Sequence, residues 1–172
     1  MTKVIIETER LQLFEYTTND AAFIFELFNS PKWIKFIGDR NIKTLNDAKN
    51  FIETGYIKGY QVNGFGLYKV CLKDGTPIGT SGIVNRPNLE GYDLGYALLP
   101  QFEGKGFITE ANEAVLKFAK EAYKIQELKA ILLEENSESI AVLERLGFKS
   151  QVKSVLKGET EEMLMYLKKL DD

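Results

Sequence analysis

The hydrophobic period of the chain changes within residues 95–111, and two glycines and a lysine stand at the change. Before the glycines the chain alternates like a strand, whereas after them apolar residues recur at helical spacing. A strand therefore runs into a helix through a turn that contains Gly104, Lys105 and Gly106. The first backbone N–H groups of such a helix are unpaired, and glycines let a ligand approach them. This pattern predicts a phosphate-binding turn.

Two common phosphate-binding motifs do not fit this turn. A P-loop requires G-x-x-x-x-G-K-[ST], but Lys105 lies between the glycines and no Ser or Thr follows it directly. A dinucleotide fingerprint requires a third glycine where this chain has Thr109, and it opens a βαβ unit instead of coming late in the chain. A third pattern, Gln-x-x-Gly-x-Gly, does fit, through Gln101, Gly104 and Gly106.

This third pattern resembles the pyrophosphate-binding loop of the GNAT N-acetyltransferases. Other motifs similar to that family occur in the family's order over nearly the whole chain, and they resemble its ribosomal-protein (RimJ/RimL-like) branch. They are Glu9-Arg10-Leu11, Asp93-Leu94-Gly95-Tyr96, Thr109-Glu110-Ala111 and residues 136–148. The resemblance implies an α+β fold, a GNAT-like α/β/α sandwich with a mixed, mostly antiparallel central sheet that splays at the acetyl-CoA site.

Length and composition limit the classes of protein to consider. A chain of 172 residues with 44% hydrophobic residues predicts one globular domain, here an N-acetyltransferase domain over residues 1–172. The net charge of −3 disfavours direct nucleic-acid binding. No apolar run approaches the roughly 20 residues of a membrane span, and the first residues do not resemble a signal peptide. We therefore expect a cytoplasmic protein that binds neither nucleic acid nor membrane.

The first third of the chain predicts two helices over one face of the sheet. Asn19 is the expected cap of the first helix, which Pro31 would end. Thr44 is the expected cap of the second, which would end near Gly55. Three aromatic residues here are expected in the core, although the resemblance offers substrate contact as the alternative. These residues are Trp33, Phe36 and Tyr56.

The middle of the chain predicts antiparallel strands at 65–72, 78–84 and 92–99. Asp74-Gly75 suggests a type I′ hairpin between the first two. Residues 128–133 form a continuous apolar run, which predicts a strand covered on both faces. Asn136 or Ser137 would then cap a helix that closes at Gly147 in a Schellman-type ending, before strands near 151 and at 162–167.

The resemblance also implies how acetyl-CoA, the expected acyl donor, would bind. The pantetheine arm would lie between strands 92–99 and 128–133 as an additional strand, while backbone amides of 104–108 hold the pyrophosphate. The side chain of Lys105 either adds charge or faces solvent, and that of Thr109 either reaches a phosphate or lies on the helix surface. The expected cofactor-binding residues are Leu98, Leu99, Gln101, Gly104, Lys105, Gly106, Phe107, Ile108, Thr109 and Asn136.

The residue inventory restricts the chemistry. The chain has no histidine, and its one cysteine, Cys71, lies in an alternating strand, so neither a covalent acyl-enzyme nor a metal site is expected. We predict direct attack of a primary amine on the thioester in a ternary complex. A protein α-amine is roughly a tenth neutral at pH 7, whereas only about one lysine amine in 2,500 is neutral. A peptide or protein N-terminus therefore needs less help from a base than a lysine does, and small-molecule amines remain the other class of acceptor.

Two residues are the expected catalytic groups. Asp93 stands where the family commonly has Glu, and its shorter side chain favours proton transfer through a water, with a structural ion pair as the alternative. The tyrosine that many family members use as an acid is replaced by Leu143, so Ser139 is the candidate donor to the CoA sulfur, while also serving the helix start. These two departures support the competing hypothesis, a non-catalytic acyl-CoA-binding module.

Overall fold

The structure is a computed structural model that describes residues 2–171, and its centre is a mixed sheet of nine strands. The strand order is β1-β2-β3-β4-β5-β6-β9-β7, with β8 also paired to β9. All pairs are antiparallel except β5 with β6, which confirms the predicted α+β fold with a mostly antiparallel sheet. The strands are β1 Val4–Glu7, β2 Leu11–Phe14, β3 Leu67–Leu72, β4 Pro77–Val84, β5 Asp93–Leu98, β6 Glu127–Leu132, β7 Lys149–Ser150, β8 Ser154–Val155 and β9 Glu162–Lys169.

Helices cover the sheet in two groups, each with its own apolar cluster. One cluster joins the sheet to the buried faces of the two later helices, and the other lies among the early helices and includes Leu99. The helices are α1 Ala21–Phe28, α2 Pro31–Phe36, α3 Leu45–Phe51, α4 Lys58–Asn63, α5 Phe107–Tyr123 and α6 Ser137–Arg145.

The parallel strands β5 and β6 diverge soon after they meet. Their register contains a single aligned pair, Asp93 with Lys129, and the Lys129 amide donates to the Tyr92 carbonyl at 3.0 Å. By contrast, β4 and β5 are aligned over six consecutive pairs. The sheet is therefore open between the carboxyl ends of β5 and β6, at the point where β5 leads into the glycine turn.

The start of the first helix and the role of Pro31 differ from the sequence prediction. Thr17, not Asn19, caps the first turn, because Thr17 and Asp20 form a capping box at a 3₁₀ turn that precedes α1. Helix α1 already ends at Phe28, and Pro31 begins α2. Proline suits the first helical position, where its missing N–H costs no hydrogen bond.

The second predicted helix is confirmed at its start and wrong at its end. Thr44 and Asp47 form a capping box that begins α3. Gly55 does not stop the helix, which continues through a π-helical segment, Ile52–Ile57, into α4 and ends at Gly64. Gly64 has a φ of +82°, the left-handed conformation of a helix end, whereas Gly55 remains helical. Packing of this segment outweighs the helix propensity penalty of glycine, about 1 kcal/mol.

Two details of the strands also differ from expectation. Only Gly75 has a positive φ in the β3–β4 turn, where a type I′ turn needs two such residues, and the Gly75 amide donates to the Leu72 carbonyl at 3.0 Å. Burial along β6 alternates, with Leu128, Ala130 and Leu132 buried and the residues between them half-buried. The second face of β6 is less covered than predicted because it borders a cavity, which Ile131 lines.

The end of α6 follows the prediction closely. Gly147 has a φ of +88°, its amide donates to the Glu144 carbonyl, and the Phe148 amide donates to the Leu143 carbonyl, both at 3.0 Å. These two bonds are those of a Schellman motif, so the predicted ending is confirmed. The N-terminal turn of α6 faces the opening beside β5, where the Ser139 hydroxyl is hydrogen-bonded to that of Tyr96.

Candidate functional site

A cavity of about 370 Å³ lies at the opening between β5 and β6. At one end it is lined by the start of α5 and by α6, and at the other by aromatic side chains of the early helices. Several predicted site residues line it, namely Leu98, Ile108, Asn136 and Ser139. A single concave space therefore joins the expected cofactor side to the expected acceptor side.

The glycine turn has the geometry of an anion-binding helix start. Gly104 and Gly106 have φ values of +77° and +80°, which L-residues rarely adopt. Gly106 is the N-cap of α5 and offers no side-chain cap, while the Glu110 amide donates to the Gly106 carbonyl at 3.1 Å. The amides of Phe107, Ile108 and Thr109 precede that bond, so they belong to the unpaired first turn of a 17-residue helix.

The two polar side chains of the turn are exposed. Gln101 lies in the short 3₁₀ turn Pro100–Phe102, and the side chain of Lys105 extends into solvent. Thr109 is half-buried one turn into α5. These positions suit contacts with a ligand at the surface, and backbone amides supply the inner wall of the site.

Arg10 ties the glycine turn to the edge of the sheet, a role that the sequence analysis had not assigned. Its Nη1 donates to the Lys105 carbonyl at 2.9 Å, its Nε donates to Glu110 at 2.6 Å, and its guanidinium lies over the Phe107 ring at 4.5 Å. Glu110 also accepts from the Thr8 hydroxyl at 2.7 Å. Partial burial raises the pKa of Glu110, but the bonds from Thr8 and Arg10 outweigh it and hold that pKa below its ordinary value.

The two backbone positions expected to pair with a pantetheine arm differ in availability. The Leu99 amide donates to the Ile78 carbonyl at 2.8 Å, and the Leu99 carbonyl accepts from Phe102 at 3.0 Å. Since successive residues of a strand direct their backbone groups to opposite sides, Leu98 directs its groups toward the opening beside β6. This geometry favours Leu98 over Leu99 as the partner of an extended ligand.

Three residues form a hydrogen-bonded unit at the inner end of the cavity. Asn136 caps α6, because its Oδ1 accepts from the Ser139 amide at 3.3 Å. The Ser139 hydroxyl hydrogen-bonds to the Tyr96 hydroxyl on β5, which the sequence analysis had not placed in the site. Burial raises the pKa of Tyr96 to about 12, although the bond to Ser139 lowers it. At neutral pH the Tyr96 phenol is therefore protonated and able to donate.

Asp93 lies at the start of β5, where it is 1% exposed and pairs with Arg86. The Arg86 Nε donates to both carboxylate oxygens, at 2.9 and 3.1 Å. Burial raises the pKa of Asp93 despite the opposing effect of Arg86. Arg86 lines the cavity, whereas Glu90, the other carboxylate close to the start of β5, has an exposed side chain.

Aromatic rings form a row along the acceptor side of the cavity. Trp33 stacks on Phe28 with ring centroids 4.0 Å apart, Phe28 meets Phe51 edge-on at 5.0 Å, and Phe51 meets Tyr56 edge-on at 5.3 Å. Trp33 is buried in the core, as expected, while Tyr56 and Phe36 are half-buried. All five line the cavity, so core packing and a ligand-facing position coexist here.

Three further features of residues 2–171 concern metal ligands, apolar helices and the single thiol. Within residues 2–171 no three His, Cys, Asp or Glu side chains are grouped to hold a metal ion. Among the helices of the same residues, none has the length and apolar character needed to cross a membrane. Cys71 is buried, and burial raises the pKa of its thiol to about 11, so it is protonated at neutral pH.

Comparison with known proteins adds an independent observation. The family described as acetyltransferase (GNAT) domain matches residues 10–149. The uncharacterized N-acetyltransferase YoaA of Bacillus subtilis (strain 168) is 25% identical over 150 residues, which cover 86% of this chain and 84% of YoaA.

Solved structures share the same architecture. An acetyltransferase from Agrobacterium tumefaciens str. C58 has a TM-score of 0.80 at 25% identity, covering 95% of this chain and 92% of its own. The ribosomal L7/L12 α-N-protein acetyltransferase RimL, solved in complex with coenzyme A, has a TM-score of 0.82 at 16% identity, with 97% and 98% covered. At that identity the likeness to RimL concerns the fold.

Proposed function

The chain belongs to the acetyltransferase (GNAT) domain family, and from this premise we propose that it transfers the acetyl group of acetyl-CoA to a primary amine by direct attack in a ternary complex. The observation that carries the proposal is the single cavity that runs from the start of α5, past Ser139, to the aromatic row. Both substrates have room to meet there without a covalent enzyme intermediate.

The acetyl-CoA site in this proposal uses backbone groups first. The pyrophosphate binds the backbone amides of the glycine turn, and Arg10 holds that turn in position. The side chains of Lys105 and Gln101 add contacts at the surface. The pantetheine arm extends along the open edge of β5 toward Asn136, with Leu98 supplying backbone hydrogen bonds. The thioester then lies beside Ser139.

Ser139 stabilises the departing sulfur. As the amine nitrogen forms its bond to the carbonyl carbon and the C–S bond breaks, the Ser139 hydroxyl donates a hydrogen bond to the thiolate. A thiol has a pKa near 8.5, well below the pKa of a serine or tyrosine hydroxyl. A hydrogen bond is therefore enough to stabilise the CoA thiolate, and no proton transfer from Ser139 is required. In this proposal Tyr96, whose hydroxyl is hydrogen-bonded to that of Ser139, donates to Ser139 and orients its hydrogen.

We assign the amine's proton to Asp93 through a bridging water, because the carboxylate is 1% exposed and does not line the cavity, although its partner Arg86 does. The raised pKa of Asp93 makes it a better proton acceptor than an ordinary aspartate. The Arg86 guanidinium beside it lowers that pKa and so favours an ionised carboxylate when the amine arrives.

The proposed acceptor is an α-amine, as at a peptide or protein N-terminus, because its pKa leaves a usable neutral fraction at pH 7. The sequence motifs that resemble the RimJ/RimL-like branch support this class. The competing proposal, an acyl-CoA-binding module without turnover, has its support in the Asp93 and Leu143 departures alone.

Thermal unfolding with acetyl-CoA followed by kinetics tests the proposal. Acetyl-CoA at about 100 times its dissociation constant should stabilise the protein by about 2.7 kcal/mol, a shift of about 5–10 °C. Turnover of peptide amines with intersecting initial-velocity lines would support a ternary complex. Parallel lines would overturn direct attack, a shift without turnover of any amine would favour the binding module, and no shift would remove the cofactor assignment.

A further inference from the structure

We propose that the acceptor carries a carboxylate close to its α-amine and a flat apolar group, and that the cavity recognises them through Arg40, Arg86 and the aromatic row. This inference rests on the proposed function, because it names the class of amine that the same site takes. Three independent observations support it: an unpaired buried donor, two available guanidinium groups, and a continuous aromatic wall.

The buried donor is the indole nitrogen of Trp33. Trp33 is 5% exposed and lines the cavity, yet its Nε1 has no hydrogen-bond partner within residues 2–171. Buried donors are almost always paired in folded proteins, because an unpaired one loses its hydration without compensation. An oxygen of a bound ligand would supply the missing acceptor once the side chains that cover the nitrogen move aside.

The charges on the cavity wall favour an anionic acceptor. Lys32 is bound to both Glu103 and Glu138, so these three side chains together keep one net negative charge. The two arginines that also line the cavity outweigh it and make the lining net positive. Arg40 lines the cavity and makes no hydrogen bond or ion pair within residues 2–171. Arg86 directs its Nε to Asp93, and its terminal nitrogens have no partner in the same range.

Arg86 is also fixed in orientation. Its bond to the buried Asp93 holds the guanidinium plane, which leaves the terminal N–H groups in a fork suited to a carboxylate. The Arg86 guanidinium therefore faces the cavity, and the Asp93 carboxylate lies behind it. A molecule with an amine and a carboxylate close together matches that arrangement of charge.

The flat group follows from the aromatic row. Trp33, Phe28, Phe51 and Tyr56 touch one another in sequence and all line the cavity. Aromatic surfaces stabilise a planar apolar group by contact area and by ring geometry. A cavity of about 370 Å³ holds the end of the acyl donor and one small acceptor, or the first residue of a peptide.

Two sources share this chemistry, and the test separates them. One is a free aromatic α-amino acid, and the other is a peptide whose aromatic first residue is followed by an acidic residue. Acetylated products serve as probes, because their binding can be measured without turnover. For the free amino acid the pair is N-acetyl-L-phenylalanine and its neutral amide. For the peptide the pair is N-acetyl-Phe-Asp-amide and the neutral N-acetyl-Phe-Asn-amide. Each pair differs in one negative charge.

Calorimetric titration of these probes into the protein with saturating CoA measures the effect. At least one of the two carboxylate probes should bind about tenfold more tightly than its neutral partner. One charge-assisted hydrogen bond contributes a difference in affinity of about that size. Arg86→Gln and Arg40→Gln should remove that preference while leaving the affinity for the neutral partner within about twofold. Arg145→Gln, which removes an exposed arginine on α6 outside the cavity, is the matched control.

Trp33 provides a second readout, because it is the one tryptophan of the chain. Selective excitation of the indole should report binding of the carboxylate probe and show no matching response to the neutral one. Trp33→Phe keeps a ring in the aromatic row but removes the N–H, and we expect it to weaken carboxylate binding severalfold.

Equal affinity for the charged and neutral partners, or no binding of either pair, would overturn the inference. In both cases the thermal shift with acetyl-CoA still reports on the proposed function, which fails only if that shift is absent. Preference for the Asp-containing peptide alone would identify the peptide source, and preference for N-acetyl-L-phenylalanine alone would identify the free amino acid.

Discussion

The hydroxyl groups of Tyr96 and Ser139 form a hydrogen bond across the opening between β5 and α6. Burial raises the pKa of Tyr96 to about 12, so its phenol is protonated at neutral pH and either hydroxyl can be the donor. When Tyr96 donates, the Ser139 hydrogen is left for another group in the cavity. The pair links a strand residue with a helix residue 43 positions later.

Tyr96→Phe should lower kcat about tenfold with little change in the KM for acetyl-CoA, because the lost hydrogen bond orients Ser139 and does not hold the cofactor. Steady-state kinetics with a peptide acceptor measures both constants. Ser139→Ala should lower kcat at least as much, and the double variant should lose little more, since the two hydroxyls act together. Tyr166→Phe, at a buried tyrosine outside the cavity, is the control. An unchanged kcat in Tyr96→Phe would show that Ser139 needs no partner.

Gly106→Ala should abolish most of the thermal shift produced by acetyl-CoA. At a φ of +80° an L-residue costs about 1 kcal/mol, and its Cβ would lie 3.4 Å from Arg10 Nη2, beside the amides that bind phosphate. Gly75→Ala is the matched control, since Gly75 has a φ of +93° with nothing within 4 Å of the added carbon. We expect both variants to lose similar stability and Gly106→Ala alone to lose the shift. Equal shifts in the two variants would place the cofactor elsewhere.

Glu110→Gln should destabilise the protein by about 1 kcal/mol at pH 7, because it weakens the charge-assisted bonds from Arg10. The pKa of Glu110 is lowered in the folded state, so its contribution is present above the ordinary value and is lost as pH falls through the lowered one. Urea unfolding at pH 7 and below about pH 4 should therefore show a difference from wild type that shrinks in acid. Glu113→Gln, exposed on the same helix, controls for the change of charge. A difference independent of pH would mean that the carboxylate charge is not responsible.

Arg86→Met should destabilise the protein by about 2 kcal/mol at pH 7, since it leaves the buried Asp93 carboxylate without its cation. The loss is not larger because the Arg86 side chain is itself partly exposed to solvent. Burial already raises the pKa of Asp93, and removing Arg86 raises it further. The folded state then binds the proton more readily than the unfolded state, so the penalty is absent in acid and grows as pH rises through the raised pKa.

Unfolding of Arg86→Met at pH 4 and pH 7 checks the sign. Adding Asp93→Asn should restore part of the stability at pH 7, because it removes the unpaired charge. Arg145→Met, which removes an exposed arginine, should change stability little at either pH. An equal loss at both values would assign the effect of Arg86→Met to packing of its side chain.

Errors in the sequence prediction occur where a residue type has two roles. Pro31 is read as the end of a helix, but proline also suits the first turn of one, and α1 has already ended at Phe28 before Pro31 begins α2. Gly55 is read as a helix end, but only a glycine in the left-handed conformation ends one, and packing keeps Gly55 helical. Composition alone does not distinguish these roles, because the tertiary contacts choose between them.

The sequence by itself determined the glycine turn before α5, the capping box at Thr44 and the Schellman ending at Gly147. Each depends on interactions within about six residues, so the local order of residue types is sufficient. The α+β class also followed from periodicity together with the family resemblance, whereas the strand order came from the structure.

Only the tertiary structure decided which polar groups meet at the site. Arg10 reaches Glu110 from 100 residues away, and Tyr96 reaches Ser139 because β5 and β6 diverge after a single aligned pair. The pairing of Arg86 with Asp93 likewise depends on how the turn between β4 and β5 folds back. Such contacts are set by where whole strands and helices pack, and no local pattern of residue types encodes that geometry.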